Sequence, residues 1–488
     1  MANNRLWLVT GTVVAALALT GCSGSASDSQ RGGSRAPEAQ YEGRPGKGGE
    51  TRTDDDPQST FAVDVDTASY GYAKRLLQEG RLPERGTVRP EEFINAFDQE
   101  YGEPRGDGFA VHVDGSRMPR THRGATDLRL LRVGLQTRAE DATERRDAAL
   151  TFVVDVSGSM AEPGRLDLVQ DALHTLVTQL RATDSVAIVT FSSRARVVRT
   201  MTRVAKKGDL HAAIDALEVE ESTNLEAGLV LGYQVARDGF RTGATNRVII
   251  LSDGLANVGN TDPAPIVAQI REEARKQIAL LGVGVGSDYG DELMEQLADK
   301  GDGFVVYVSD RTEARKVFVQ QLPATLSVRA LDAKVQVAFD PQAVVSYRLI
   351  GYENRAVADE DFRNRRVGGG EVGPGHSVTA LYAVRLTGSG DRVARVDVRW
   401  HDPRSREAQE VTATVDVSDV DGPFLEAASR LQMCYAAGFL AERLRSESGA
   451  GDVRLRDLAE IASGAAAKTE DPAVRELANL IRRADELS

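Results

Sequence analysis

The stretch TFVVDVSGSM, residues 151–160, joins a continuous apolar run to an acid and two serines. Apolar residues at consecutive positions are typical of a parallel strand that is covered on both faces, because both sides of such a strand are buried. Asp155 stands where the run ends, and Ser157 and Ser159 follow at alternate positions. We therefore predict a buried strand at 149–154 that delivers oxygen-bearing side chains to its carboxyl end.

Around this run, strands alternate with amphipathic helices. The predicted strands are 149–154, 186–191, 248–251, 278–283 and 304–308, and the predicted helices are 166–180, 210–217, 225–236, 262–276, 291–298 and 313–321. Such alternation predicts an α/β domain with a doubly wound parallel sheet, whose crossovers are right-handed. Ligands of such sheets bind at the carboxyl ends of the strands.

Three segments of this domain end in hard oxygen donors. The first carries Asp155, Ser157 and Ser159, a loop before a predicted helix carries Thr223, and Asp253 follows another buried strand. Because the carboxyl ends of parallel strands meet at one edge, we expect these side chains to surround one point. Hydroxyl and carboxylate oxygens suit Mg²⁺ or Mn²⁺, with Ca²⁺ less favoured, and are poor ligands for Zn²⁺ or copper. Mg²⁺ seldom takes six ligands from protein, which leaves a position for a partner.

This set of residues resembles the metal-ion-dependent adhesion site (MIDAS) of von Willebrand factor type A (vWA) domains. The resemblance implies that Ser157, Ser159 and Thr223 bind the metal directly, and that Asp155 and Asp253 act mostly through water. It also implies that the open coordination position takes an Asp or Glu carboxylate from a protein partner. Because carboxylates that contact an ion through water neutralise it incompletely, the ion stays attractive to that carboxylate.

The loop before Thr223 departs from the family pattern. Many members have glycine or small residues there, whereas this chain has Glu218, Glu220 and Glu221. One alternative is that a glutamate of this loop occupies the open coordination position, and another is that it only raises the local affinity for cations. A degenerate site that merely stabilises the sheet edge is a third.

The first residues have the pattern of an export signal. Arg5 supplies positive charge, 6–19 is apolar but shorter than a comfortable membrane span, and Leu19-Thr-Gly-Cys22 follows at once. This ending resembles the lipobox of bacterial lipoproteins, which implies cleavage that leaves Cys22 as a lipid-modified N-terminus; an ordinary secretion signal is the alternative. We expect a signal peptide at 1–21 and a lipid anchor on the extracytoplasmic face of a cell membrane.

The rest of the chain divides into further predicted parts. A flexible linker at 22–58 has almost nothing apolar to bury. A small N-terminal α+β domain is predicted at 59–124, the α/β domain at 125–325, a β-sandwich at 326–422 and a helical region at 423–488. Helices are predicted at 70–78 and 90–101, and strands of alternating pattern at 334–339, 377–382, 395–400 and 411–415.

A second stretch, TFAVDVDTAS at 60–69, echoes the first. Asp64 and Asp66 after an apolar strand resemble the first motif of haloacid-dehalogenase-type phosphatases, but the large α/β core that such an enzyme needs does not follow directly. We predict a structural role, with the carboxylates capping the helix that starts near Tyr70. With the metal-site domain and the β-rich part that follow it, this segment resembles the corresponding part of bacterial vWA lipoproteins.

Charge narrows the range of functions. With 60 Lys and Arg against 73 Asp and Glu, the formal net charge is −13, which argues against nucleic acid as a partner and suits bound cations. The sequence predicts a membrane-anchored binding protein, not an enzyme, that captures an acidic group of a protein partner through a divalent cation. The alternatives are a structural scaffold of an envelope complex, in which metal serves only stability, and a phosphohydrolase that uses Asp64 and Asp66.

Overall fold

The computed structural model describes most of the chain after the first 48 residues. The described residues are 49–139, 145–253, 268, 270, 272–273, 276–285, 304–308, 311–315, 317–318, 328–365, 367–403, 405–446 and 453–488. The predicted signal peptide, Cys22 and the predicted helix at 291–298 lie outside them, and the predicted helix at 262–276 lies mostly outside. Within the described ranges, no helix has the length and apolar character that a membrane span requires.

The secondary structure has the following bounds. The strands are β1 (Thr51–Arg52), β2 (Gln58–Ala62), β3 (Phe109–Arg117), β4 (Leu128–Thr137), β5 (Ala148–Asp155), β6 (Ser185–Phe191), β7 (Ala195–Arg203), β8 (Thr245–Ser252), β9 (Ile278–Val285), β10 (Phe304–Val308), β11 (Ala330–Phe339), β12 (Val344–Leu349), β13 (Gly370–Val372), β14 (Ser377–Leu386), β15 (Arg392–His401) and β16 (Ala408–Asp416). The α-helices are α1 (Ala68–Gln78), α2 (Pro90–Asn95), α3 (Leu166–Gln179), α4 (Lys207–Asp215), α5 (Leu225–Asp238), α6 (Arg311–Arg315), α7 (Val417–Val420), α8 (Ser429–Arg445), α9 (Leu455–Thr469) and α10 (Pro472–Leu487).

Strand β5, which carries the first quoted stretch, lies inside a sheet of order β10-β9-β8-β5-β6-β7. The strands from β10 to β6 run parallel, and the edge strand β7 is antiparallel to β6. Each strand predicted for this domain is present, and the predicted doubly wound α/β fold is confirmed. Strand β7 was not predicted, because its residues ARVVRTMTR contain no continuous apolar run and remain partly or fully exposed.

Helices cover both faces of this sheet. Phe152 of β5 packs in the same apolar cluster as Leu173 of α3, whereas its neighbour Val153 packs in the cluster of Tyr233 of α5. Successive residues of one strand thus enter two separate cores, as expected for a strand buried on both faces. Gly232 lets α5 approach this closely, since a Cβ there would lie 2.3 Å from Val153 Cγ2.

A β-sandwich is built from both chain flanks of the α/β domain. One sheet has the order β1-β12-β14-β4-β3, and the other has the order β13-β11-β15-β16, with β2 paired to β11. Strand β4 pairs with β14 over its length, for example Leu135 with Val378, and β2 places Phe61 opposite Val335. The α/β domain is therefore inserted between the two halves of the sandwich.

Strand pairing thus crosses the predicted domain boundaries, which themselves stay a prediction. Strand β4 falls inside the range 125–325 that was assigned to the α/β domain, yet it pairs with β14 of the predicted sandwich at 326–422. Strands β2 and β3 come from the predicted N-terminal domain at 59–124 and also join the sandwich sheets. An alternating pattern predicts a half-buried strand but does not identify its partner strand. For this reason, the predicted domain boundaries divide segments that pair in the same sheets.

The C-terminal helices α8, α9 and α10 confirm the helical pattern predicted at 423–488. Tyr435 and Phe439 of α8 share an apolar cluster with Phe93 and Ile94 of α2, so the last helices pack on the first ones. Helix α2 ends at Asn95, earlier than predicted. The helical layer therefore joins the two ends of the described chain.

Candidate metal centre

Asp155 lies at the carboxyl end of β5 with a side chain that has no exposed surface. Its Oδ1 accepts a hydrogen bond from the Ser157 backbone N–H at 2.9 Å, and its Oδ2 accepts one from Ser252 Oγ at 2.6 Å. Because Ser252 is the last residue of the neighbouring parallel strand β8, the second bond joins two strand ends. Both carboxylate oxygens of Asp155 are therefore engaged inside the protein.

Ser157, Ser159 and Asp253 form a chain of hydrogen bonds beside Asp155. Ser157 Oγ lies 3.1 Å from Ser159 Oγ, and Ser159 Oγ donates to Asp253 Oδ1 at 2.9 Å. Asp253 is buried and directly follows β8. The structure thus brings these four predicted residues to the same edge of the sheet.

Thr223 lies in a loop that is fixed on both sides by backbone hydrogen bonds. Glu220 N–H donates to Val156 O at 2.6 Å, and Asn224 N–H donates to Ser192 O at 2.7 Å. Val156 stands between Asp155 and Ser157 in the chain, so the first of these bonds ties the loop to the site. Thr223 itself is buried.

The glutamates of this loop point to other partners or to solvent. Ser192 Oγ donates to Glu220 Oε2 at 2.5 Å, and an Arg196 guanidinium nitrogen lies 3.1 Å from Glu220 Oε1. Glu218 and Glu221 are exposed. Of the alternatives drawn from the sequence, this arrangement favours a general attraction for cations over occupation of the site by Glu220.

Arg165 is a residue of this edge that sequence reasoning missed. Its guanidinium forms an ion pair with Asp253 Oδ2 and donates to Ser159 O at 3.2 Å and to Glu162 Oε2 at 2.6 Å. The side chain is only 4% exposed. Nothing in the spacing relates Arg165 to Asp253, which lies 88 positions further along the chain.

The donor set fits a small divalent cation. The separation of 3.1 Å between Ser157 Oγ and Ser159 Oγ is close to the distance of about 2.9 Å between adjacent ligands of an octahedral Mg²⁺ whose bonds are 2.0–2.1 Å long. In the part of the chain that the structure describes, no group of three or more His, Cys, Asp or Glu residues is arranged to hold a metal. The two carboxylates at this edge, those of Asp155 and Asp253, are already hydrogen-bonded within the protein.

The electrostatics of Asp155 are those of a buried acid. Burial raises the pKa of its carboxyl above the ordinary value, whereas the hydrogen bonds from Ser252 and Ser157 lower it and the charge of Asp253 raises it further. A positive ion close to a buried carboxyl favours the ionised form. Cation binding at this edge would therefore offset the cost of burying the charge of Asp155.

Asp64 and Asp66 of the second stretch form no comparable open site. Both are buried, the Asp66 N–H donates to Asp64 Oδ1 at 2.9 Å, and both carboxylates pair with Arg355. The predicted helix cap stays a prediction; one N–H of the first turn of α1, that of Ser69, donates to Glu92 Oε2 at 2.7 Å. The two aspartates are thus held in a buried cluster with Arg355.

Matches to known families assign the class of this protein. A family model for the von Willebrand factor type A domain matches residues 149–320, one described as von Willebrand factor matches 38–125, and one described as the C-terminal part of uncharacterized protein YfbK matches 324–395. Together with the sheet order and the residues at its edge, these matches define a vWA-domain protein.

The chain belongs to the family of bacterial vWA-domain proteins that includes uncharacterized protein YfbK of Escherichia coli K12. It is 32% identical to YfbK over 446 residues, which cover 85% of this chain and 76% of that protein. The structure of von Willebrand factor type A from Catenulispora acidiphila is 16% identical with a TM-score of 0.49, and the match covers 78% of this chain and 96% of that chain. The structure of proximal thread matrix protein 1 from the mussel byssus, with zinc occupied MIDAS motif, is 23% identical with a TM-score of 0.32 over 37% of this chain and 46% of that one.

The vWA domain implies that this protein has a role in protein binding.

Proposed function

We propose that this protein captures an acidic group of a protein partner through a divalent cation, Mg²⁺ or Mn²⁺, held by Ser157, Ser159 and Thr223. The observation that carries the proposal is the spacing of the two serine hydroxyls, 3.1 Å apart and hydrogen-bonded onward to Asp253. This spacing suits adjacent positions in the coordination shell of Mg²⁺.

The bonding of the two aspartates supports a role through water. Asp155 uses one oxygen for the Ser157 N–H and the other for Ser252, and Asp253 uses one for Ser159 and the other for Arg165. Carboxylates that are engaged in this way hold the hydroxyls in place and do not themselves neutralise a cation fully. The cation would supply an open coordination position to a partner's carboxylate, and the fixed hydroxyls would set its orientation.

The test measures metal binding first and partner capture second. Isothermal titration of the full-length chain with Mn²⁺ should show a single site that is lost in Ser157→Ala and Asp155→Ala. Ser193→Ala is the matched control, because Ser193 is an exposed serine of the neighbouring loop after β6. Cross-linking in membranes should then give an adduct that disappears with chelator and with Asp155→Ala.

Two outcomes would contradict the proposal. Absence of Mn²⁺ binding by the native chain would remove the metal site. Partner capture that survives both chelator and Asp155→Ala, while metal raises only the melting temperature, would favour the scaffold alternative, in which metal serves stability alone.

For the location of the protein, we propose a lipid anchor at Cys22 on the extracytoplasmic face of a membrane. The support is the sequence alone, in which an apolar run ends at Leu19-Thr-Gly-Cys22. Cys22→Ala should move the chain from the membrane fraction to the soluble fraction. Cys434→Ser is the control, because Cys434 is buried and donates to Gln99 Oε1 at 3.0 Å, a bond that a serine hydroxyl can also form. Unchanged fractionation of Cys22→Ala would contradict the anchor.

A further inference from the structure

A fixed positive charge lies at the candidate metal centre. The Arg165 guanidinium pairs with Asp253 Oδ2, the carboxylate whose other oxygen accepts the hydrogen bond from Ser159 Oγ. Both side chains are nearly inaccessible, with 4% of Arg165 and 2% of Asp253 exposed. One carboxylate therefore stands between a serine hydroxyl of the site and a buried guanidinium.

The position of Arg165 is set by the loop that carries the serine. Arg165 N–H donates to Glu162 O at 3.2 Å, and Glu162 N–H donates to Ser159 O at 3.2 Å. The Arg165 guanidinium returns to Ser159 O at 3.2 Å, and Gly164, with a φ of 83°, turns the chain between them. The backbone of Arg165 is thus fixed beside Ser159, and the bond from the guanidinium to Ser159 O holds the side chain against the same loop.

The charge of Arg165 is permanent and weakly screened. An arginine side chain stays protonated at any pH at which the protein is folded. Repulsion between a unit charge and a divalent ion on either side of one carboxylate exceeds thermal energy even at a high effective dielectric constant, and burial strengthens it. Glu162, which also binds the guanidinium, is 66% exposed and therefore compensates this charge less effectively than Asp253 does.

We infer that Arg165 is a built-in counter-cation that competes with the divalent ion for Asp253 and lowers the metal affinity of the site. This inference rests on the proposed function and specifies its regulation. The arginine satisfies Asp253 when no metal is bound, so the sheet edge is stable in both states. Arg165 neutralises part of the negative charge of Asp253, and a carboxylate from a partner supplies negative charge in its place. Metal and partner therefore bind cooperatively, each raising the affinity for the other.

The test compares Mn²⁺ affinity among variants of the full-length chain by isothermal titration, with electron paramagnetic resonance of free Mn²⁺ as a second readout. Arg165→Met removes the charge and keeps most of the volume, and it should raise the affinity by roughly tenfold or more. Arg165→Lys keeps the charge and should stay within about threefold of the native chain, since the competition depends on charge. Glu162→Gln is the matched control, because it removes the exposed partner of the same guanidinium and leaves the pair with Asp253 in place.

A second variant covers the case in which Arg165→Met does not fold. Arg165→Gln is uncharged but still offers a hydrogen-bond donor to Asp253, and it should show the same gain in affinity. Folding of each variant is checked by circular dichroism. An unchanged or lower Mn²⁺ affinity in folded Arg165→Met and Arg165→Gln would overturn the inference, because Arg165 would then only position Asp253.

The outcomes separate this inference from the proposed function. If the native chain binds Mn²⁺ and the uncharged variants bind it no better, the inference fails and the metal site stands. If neither the native chain nor the uncharged variants bind Mn²⁺, both fail. Binding that becomes measurable only in the uncharged variants would support the inference about Arg165 and contradict the proposed function, because the native chain would then hold no cation for a partner.

Discussion

Arg355 Nε lies 3.0 Å from Asp64 Oδ2, so two residues 291 positions apart form an ion pair in which the arginine is 11% and the aspartate 3% exposed. A second guanidinium nitrogen lies 3.1 Å from Asp66 Oδ2. These contacts engage the two carboxylates that resembled a phosphatase motif. They also join the segment after β2 to the opposite flank of the sandwich.

Replacement of Arg355 by methionine should destabilise the sandwich by about 3–5 kcal/mol, because two buried carboxylates lose their counter-charge. Trp400 fluorescence during urea unfolding measures the effect, since Trp400 is packed inside the sandwich and the other tryptophan lies in the predicted signal peptide. Arg363→Met is the control: Arg363 is 60% exposed in its pair with Glu410, and its loss should cost no more than about 1 kcal/mol. Equal shifts in both variants would show that the cluster contributes no more than a surface pair.

Glu91 should make stability fall as the pH rises through about 7. The pKa of its carboxyl is raised from 4.5 to about 7 by burial and by the charges of Asp64 and Glu353, against backbone hydrogen bonds that lower it. Its Oε2 is buried without a hydrogen-bond partner. Because the folded state holds this proton more tightly than the unfolded state, the contribution is fully present below pH 4.5 and is lost as pH passes through the folded pKa.

The measurement is the urea midpoint of the sandwich at a series of pH values between about 5 and 9, a range chosen around the shifted pKa. Glu91→Gln should flatten the decline by up to roughly 3 kcal/mol, since the amide has no proton to lose. The neighbouring acid Glu92, whose Oε2 accepts from Ser69 N–H at 2.7 Å, provides the control Glu92→Gln. A native chain whose stability does not change across this range would disprove the prediction.

Gly232 and Gly208 form a matched pair of helical glycines with opposite expectations. A methyl group on Gly232 of α5 would lie 2.3 Å from Val153 Cγ2, so Gly232→Ala should cost about 1–3 kcal/mol through overpacking. Gly208 of α4 has no heavy atom within 4 Å of the corresponding position, so Gly208→Ala should stabilise by up to about 1 kcal/mol. Hydrogen exchange of β5 amides compares the two, and equal protection in both variants would contradict the close approach of α5.

Asn224→Ala should lower both stability and metal affinity. Asn224 is the N-cap of α5, and its side chain accepts from Ala227 N–H at 3.0 Å, so its loss should cost about 1 kcal/mol. Because Asn224 directly follows Thr223, fraying of the helix start should also loosen the loop that carries the threonine. Asn224→Asp keeps the acceptor and should restore the melting temperature and the Mn²⁺ affinity. A stability loss without any change in affinity would show that Thr223 does not depend on the cap.

The sequence predicted the parts of the fold that bury continuous apolar runs. Strands β5, β6 and β8 were found because each is a continuous apolar run, and helix α3 was found because its apolar residues recur at helical spacing. Strand β7 was missed because it buries no full face. Strand β12, residues VVSYRL, was also missed, although Asp340-Pro341 marks a turn between it and the predicted strand at 334–339. Strand β4 was not predicted either, and its pairing with β14 was out of reach, since a strand pattern does not identify its partner.

The candidate site was predictable to the extent that it follows strand ends. Asp155, Ser157, Ser159 and Asp253 stand directly after apolar runs, and the structure connects them by hydrogen bonds. Arg165 carried no such signal, because an arginine at a helix start is common on protein surfaces. Arg165 is buried only through tertiary contacts, which a sequence pattern does not show.

Insertion of the α/β domain into the sandwich determines the order in which the protein is completed during synthesis. Strands β3 and β4 leave the ribosome early, but the partner of Leu135 on β14 is Val378, which follows the whole inserted domain. The inserted domain has its sheet within one continuous segment, so it is able to fold while β4 still has an unpaired edge. Contacts of such long sequence separation form slowly, and unpaired edges aggregate readily. A chain truncated after residue 320 would therefore contain every strand of the α/β sheet together with an open, aggregation-prone half-sandwich.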